Sequence, residues 1–328
     1  MHQQAVVTGG TGYTGNALVR KLLKQGYEVR TSVRDKSRAQ DLADLGAEIF
    51  EGDLRDEKAM AELCQGAHTV YHIAAHYRKE NVTRQEMFDI NHLGTINVLK
   101  GAEKAGVERY VHSSTVGVHG DIKEIPATEE TPFNPGDTYQ ESKLAGEREV
   151  WKYIDEGRLQ ATIYRPAGIL GPGEERFLKL PKSIKMGTFL MIGDGETLFH
   201  TVDIDDLTDG VILCGTRDEG IGKVYILAGP DDATLNDMTE MIAEIVGRKV
   251  PPVHVPYTPV YYAGWASELI FKPLGIDPPI HRRRVDFFEK NRSFDISKAR
   301  NDLGFAPKYN MRESWARAIE SYEELGWM

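Results

Sequence analysis

Tyr139 and Lys143 stand four residues apart in the run Tyr139-Gln-Glu-Ser-Lys143. On a helix that spacing puts both side chains on one face. Thr138, three residues before Glu141, reads as a capping box that starts such a helix. A free phenol, with a pKa near 10, is too weak an acid to serve as a base at neutral pH. A neighbouring ammonium favours the phenolate and lowers that value. The pair can therefore act as a general acid or base. An exposed Tyr and Lys on a polar helix would show the same spacing by chance. A hydroxyl is also needed to polarise the reacting oxygen. Ser113-Ser114-Thr115 supplies three at the end of an expected strand, although three hydroxyls in a row also suit a plain turn.

A second constellation lies at the start of the chain. Val6-Val7-Thr8-Gly9-Gly10-Thr11-Gly12-Tyr13-Thr14-Gly15 follows a strand and opens a helix. Gly9 suits a tight turn, Gly12 lets the backbone approach a diphosphate, and Gly15 allows close packing. The helix start offers free N–H groups to the anion. A tight turn without a ligand is the plainer alternative. The second strand ends in Arg34-Asp35-Lys36-Ser37-Arg38. An acid there grips the ribose of NAD, and a basic residue suits the 2′-phosphate of NADP. Arg34 and Arg38 point to NADP; Asp35, if it faced the ribose, would point to NAD. A solvated charged loop is the bland reading of the same run. Asp53 and Leu54 follow the third strand, where the acid could meet the adenine amino group.

The elements that position these groups alternate. Strands are expected at Ala5–Thr8, Glu28–Val33, Glu48–Glu51, Thr69–Ile73 and Tyr110–His112. Helices are expected at Asn16–Gln25, Ala39–Leu45, Lys58–Cys64 and Asn91–Glu103. That order implies βαβ units and a parallel sheet, an α/β doubly wound fold. After about residue 165 prolines and glycines mark loops, with a strand at Val224–Leu227 and an amphipathic helix near Met311–Leu325. The expected division is a nucleotide-binding region at 1–165 and a smaller substrate region at 166–328, interleaved with the sheet. The 328 residues are 41% hydrophobic and 27% charged, with a net charge of −10. That composition argues for a globular chain and against nucleic acid as a main partner. Cys64 and Cys214 form no disulfide framework or zinc pattern. No signal peptide or run of about 18 apolar residues stands out. A cytoplasmic location is expected. His68, His72 and His76 are too far apart along a strand to share one ion, so no metal site is expected.

These motifs together resemble the extended short-chain dehydrogenase/reductase family. The glycine loop, Gly52-Asp53-Leu54, His72-Ile-Ala-Ala75, Asn91, Ser113-Ser114-Thr115 and Tyr139-x-x-x-Lys143 match in order. So do Arg165-Pro166, Gly171-Pro172, Asp205-Asp206, Phe294-Asp295, Lys298-Ala299-Arg300 and Leu303-Gly304-Phe305, across essentially the whole chain. The resemblance implies a Rossmann-type domain holding NAD(P). It implies Tyr139 as acid/base, with Lys143 on the nicotinamide ribose. Thr115 falls at the catalytic Ser/Thr position, with Ser114 as its near neighbour. Thr11, Tyr13, Thr14, Ala74, Ala75 and Pro166 would line the cofactor, and His76 the substrate.

The family includes ketone reductases and hydroxysteroid dehydrogenases as well as sugar-nucleotide epimerases. Two departures count against a sugar nucleotide. Arg-Pro-x-Asn becomes Arg165-Pro-Ala-Gly168, and Phe199-His200 stands where an Arg is common. The resemblance leans toward dihydroflavonol reductases and 3β-hydroxysteroid dehydrogenases. The expected activity is NADP(H)-dependent hydride transfer to a ketone or from a secondary alcohol. A UDP-hexose 4-epimerase activity is the alternative, and a non-catalytic NADP sensor the third reading. Arg283 and Arg284 are candidate diphosphate ligands; Asp286 and Glu289 would otherwise neutralise that cluster. The aromatic, apolar stretch Tyr257–Ile276 could line a nonpolar pocket, meet a membrane surface, or form core or a dimer face. The partners expected are a small-molecule substrate and a second copy of the chain.

Overall fold

The computed structural model describes residues 3–77, 82–251, 253–271, 276 and 278–328, and for Arg283 the backbone alone. The strands are β1 (Gln4–Thr8), β2 (Glu28–Val33), β3 (Glu48–Glu51), β4 (Thr69–His72), β5 (Arg109–Ser113) and β6 (Ala161–Pro166). They continue with β7 (Gly168–Leu170), β8 (Met191–Ile192), β9 (Leu198–Asp203), β10 (Val224–Leu227), β11 (Asp232–Thr234) and β12 (His254–Val255). The longer helices are α1 (Tyr13–Lys24), α2 (Gly94–Ala105), α3 (Thr138–Asp155) and α4 (Ile204–Thr216). Beyond them lie α5 (Leu235–Ile245), α6 (Tyr257–Phe271) and α7 (Met311–Glu324).

Seven strands form one parallel sheet in the order β10-β6-β5-β4-β1-β2-β3. Successive residues of a strand point to opposite faces. In β1, Ala5 and Val7 accordingly pack with Leu18 and Leu22 of α1, while Val6 joins Leu63, Val70 and Val98 on the other side. Both faces are covered, which is why the strands read as nearly continuous apolar runs. The order reverses between β1 and β4. At that switch point a crevice opens beyond the carboxyl ends of the strands.

The second half adds strand β10 to this sheet and builds two small ones, β11-β9-β7 and β12-β8. Phe189, Phe199, Met238 and Trp315 anchor a separate core beneath them. Helix α7 closes that core with Trp315 and Tyr322 wholly buried, as its amphipathic pattern implied.

Some sequence expectations shift. The helix expected from Asn91 starts with a wide π-type turn over Asp89–Leu93 and becomes α-helical at Gly94. Helix α3 is capped by Asp137, whose carboxylate accepts from the N–H of Gln140, and not by Thr138. Strand β6 is not among the expected strands; all six of its residues are buried.

Candidate active site

A cleft of about 1700 Å³ runs over the carboxyl ends of β1, β2, β4 and β5 and onward beneath the second half of the chain. Its nucleotide end is made largely of backbone. Gly9 adopts φ +80°, and a side chain there would press on Ala74. A Cβ on Gly15 would sit 2.2 Å from the carbonyl oxygen of Gly9. These glycines hold the first turn of α1 against the loop. Gly12 caps α1 with no side-chain acceptor, and the first turn carries no acid. The helix start therefore offers its N–H groups and positive end to an anion.

Thr11, Tyr13, Thr14, Leu54, Ala74, Ala75 and Pro166 also line the cleft. The groove fits a dinucleotide: small residues bring the backbone close, and the donors converge where a diphosphate would lie. Arg34 and Arg38 line the same groove at the end of β2. Asp35 is tied to its own loop. Its carboxylate accepts from the N–H and hydroxyl of Ser37, at 2.9 and 2.6 Å. Asp53 reaches the groove already paired. Its carboxylate accepts from the backbone N–H of Arg55 and from both ends of that guanidinium, at 2.7–2.9 Å.

Tyr139 and Lys143 lie on the cleft wall formed by α3. Lys143 is buried, and its Nζ donates to the carbonyl of Ser113 at 2.5 Å. Burial pushes its pKa down to about 8, with Glu147 pulling the other way. At neutral pH the ammonium persists, one turn from the Tyr139 phenol. Half-buried Tyr139 packs edge-to-face against Tyr77, ring centroids 5.0 Å apart. The guanidinium of Arg176 lies 5.0 Å above the far ring and is paired with Glu174.

The two candidate hydroxyls have different surroundings. Ser114 is buried, and its hydroxyl donates to Glu147 Oε2 at 2.5 Å. Thr115 is half-buried on the cleft wall, where its Oγ1 accepts from the N–H of Gly117 at 3.1 Å. Its own hydroxyl hydrogen can turn toward a ligand.

Beneath them lies a buried ion pair that spacing alone did not reveal. Arg165 Nη2 donates to Glu147 Oε1 at 2.5 Å, and Nε donates to Oε2 at 3.2 Å. Burial would raise the Glu147 pKa, but Arg165, Ser114 and Trp151 hold it below the usual carboxylate range. Arg165 also reaches His119 and the carbonyl of Glu129. Tyr139, Lys143 and Glu147 repeat every four residues along one helix face. That ladder was the signal available in the sequence.

Asn91 ties the loop after β4 to α3. Its Oδ1 accepts from the N–H of His76, and its amide donates to the carbonyl of His76 and the hydroxyl of Ser142. Ser142 donates in turn to the carbonyl of Tyr139. His76 also lines the cleft. His72 is buried between Thr8 and Thr95. Among the described residues no group of His, Cys, Asp or Glu could hold a metal ion.

The substrate end of the cleft is aromatic. Gly168 faces Phe199; a Cβ on the glycine would lie 3.1 Å from the tip of that ring. His200 is held by the carbonyl of Gly229 and the N–H of Phe294. Phe177, Phe287 and Phe288 complete this wall. Arg284 lies on its exposed rim; the side chain of Arg283 is outside the described residues. For Arg282 the neutralising acid differs from the expected one. Arg282 pairs with Glu268 of α6, while Asp286 is taken by Lys290 and the Tyr257 hydroxyl.

The family model described as "NAD dependent epimerase/dehydratase family" matches residues 5–228. The chain is 32% identical to a Synechocystis sp. protein named "Putative dihydroflavonol 4-reductase", over 98% of this chain and 95% of that one. It is 31% identical to "Sterol demethylase protein B" of Methylococcus capsulatus, over 98% of each. The solved structure "Crystal structure of gox2253" superposes with a TM-score of 0.83 at 31% identity, covering all of both chains.

Proposed function

Because this chain belongs to the NAD-dependent epimerase/dehydratase family, we propose that it is a reductase moving a hydride between NADP(H) and a ketone or secondary alcohol. One arrangement carries the reading. The Tyr139 phenol sits one turn from a buried ammonium, on the wall of a groove that fits a dinucleotide. A bound nicotinamide would supply the hydride chemistry, held in the groove lined by Thr11, Tyr13, Ala74 and Pro166. Tyr139 gives its phenolic proton to the carbonyl oxygen, and Thr115 donates a hydrogen bond to that same oxygen. Lys143 holds the ribose and favours the resulting phenolate. In the oxidative direction the proton moves back to Tyr139. Ser114 serves the fold, since Glu147 takes its hydroxyl. Arg34 and Arg38 grip the 2′-phosphate and select NADP over NAD.

The substrate reading rests on Gly168 and Phe199. An aromatic ring fills the wall beside the position where an amide would meet a diphosphate. A desolvated diphosphate needs paired donors; the rings supply none, and the guanidinium of Arg292 lies over Phe199 and Phe287 at 5.9 and 5.2 Å. One observation favours an epimerase instead: Arg284 and Arg292 both line the cleft and could meet a diphosphate. Calorimetry with UDP and UDP-hexoses separates the two readings. The expected result is no micromolar binding, with NADPH consumed on an apolar ketone. Micromolar UDP-hexose binding lost in Arg284→Ala, with no net NADPH oxidation on any ketone, would replace the reductase with the epimerase.

A further inference from the structure

Tyr13 opens α1 at the diphosphate end of the cleft, and its hydroxyl has no part in the chemistry above. The oxygen is buried and makes no hydrogen bond among the described residues. The side chain reaches the second half of the chain, where the hydroxyl meets Gly171 just beyond β7. A Cβ on that glycine would lie 3.1 Å from the phenol oxygen and 2.7 Å from Ile204. Burial, then the charges of Glu174 and Asp203, push the Tyr13 pKa up, so the phenol stays protonated and remains a donor. Glu174 is not its acceptor, because both carboxylate oxygens are taken by Arg176.

Asp203 ends β9 at the same corner. Leu170 is its partner in the register of β7 and β9, so Gly171 comes next to Ile204 and the phenol. The carboxylate is wholly buried, and its two oxygens differ. Oδ1 accepts from the N–H of Asp205 at 2.9 Å, which caps α4, and from Arg317 of α7 at 2.6 Å. Oδ2 is buried and has no partner among the described residues. A buried donor and a buried acceptor are thus each left single on facing elements. Native folds satisfy nearly all such atoms, often through an ordered water.

We propose that Tyr13 is a positioning residue: one ordered water joins its hydroxyl to Asp203 Oδ2, and this bridge pins the diphosphate loop to the second half of the chain. Helix α1 is already held further along. Lys21 pairs with Asp209 of α4 at 2.5 Å and donates to the carbonyl of Asp205 at 2.7 Å. With its start fixed as well, the free N–H groups of the first turn keep one direction before the cofactor arrives. Binding then orders less of the loop, which favours affinity. Gly171 is small for the same reason, since the phenol and Ile204 fill the place of a side chain there. This role needs only that the groove holds a dinucleotide, whichever carbonyl is reduced.

The test is Tyr13→Phe in the full chain, which keeps the ring and removes the hydroxyl. Fluorescence titration should show NADPH and NADH weakened alike, by about fivefold to tenfold, because both carry the diphosphate. In NADPH turnover the loss should fall on KM rather than on kcat. Backbone hydrogen exchange of the cofactor-free protein should quicken in residues 9–15 and stay as in the parent in β4 and β5. Asp203→Ser keeps one oxygen to cap α4 and removes the other. It should weaken both cofactors by a similar factor, and adding Tyr13→Phe to it should weaken them little further. Cofactor affinity equal to the parent's in Tyr13→Phe would overturn the role. So would losses from the two substitutions that multiply, or exchange that quickens throughout the sheet, the mark of a general loss of stability. Should the parent protein bind neither cofactor, the dinucleotide groove fails, while the exchange comparison still decides the bridge.

Discussion

The two ends of one cleft are built on different principles. At the nucleotide end the ligand-facing atoms are mainly backbone, and the charges beneath them are buried and paired. At the substrate end the wall is a set of phenylalanine rings with Arg176 and Arg292 among them, and the cations of its ion pairs are half-exposed. Arg165 and Glu147 have side chains that are 2% and 0% exposed, whereas Arg282 and Glu268 are 39% and 10% exposed. The first end is suited to holding one ligand rigidly. The second can change its rings and rim without disturbing the sheet. A family that keeps its cofactor and varies its substrate needs that division.

The sharpest way to break the contrast is to remove one acid at each end. Glu147→Ala leaves a buried guanidinium uncompensated beneath the site. It is expected to cost about 3–5 kcal/mol in urea unfolding. Glu268→Ala removes a rim pair and should cost about 1 kcal/mol or less. Similar losses would mean that the two ends are equally dependent on their ion pairs.

Acid probes the nucleotide side next. Burial pushes the pKa of His72 down to about 3 and that of His119 to about 4; His112 moves in the same direction. Above about pH 6.5 these residues are neutral whether folded or unfolded. Below it the unfolded chain takes up protons that the folded chain refuses. Stability should therefore fall as pH drops from about 6.5 toward 4, by at most about 1.4 kcal/mol per unit for each histidine. Urea midpoints at pH 7 and pH 5 read the loss directly. Equal midpoints would mean that the histidines charge within the fold.

These two ends were also unequally legible in the sequence. Gly9 and Gly15 announce themselves because only glycine tolerates φ +80° or a carbonyl at 2.2 Å. A backbone requirement thus becomes a residue type at a fixed spacing. Strand β6 escaped because burial on both faces erases alternation. The partner of Arg165, Glu147, lies on another element, so only tertiary structure explains its burial. Thr138 and Asp137 both carry capping oxygens, and backbone geometry chose the second. The substrate wall was least legible. Phe177, Phe199 and Phe287 come from separate segments and meet only through the smaller sheets. The pairing of Arg282 with Glu268, 14 residues upstream, depends on the approach of two helices.

A smaller effect sharpens the nucleotide end further. Arg34→Ala should weaken NADPH binding by roughly tenfold or more, the worth of a charged hydrogen bond, and leave NADH binding nearly unchanged. Fluorescence titration with each cofactor checks the asymmetry. Equal losses for both would give Arg34 a role other than phosphate recognition.

The central claim is that Tyr139 supplies the proton while the groove beside it holds the cofactor. Tyr139→Phe keeps the ring and removes the ionisable group. Turnover of NADPH with an apolar ketone should fall by about 10²–10⁴, while NADPH titrates into the variant as it does into the parent protein. Turnover within a few-fold of the parent, with the cofactor equally well bound, would contradict the account.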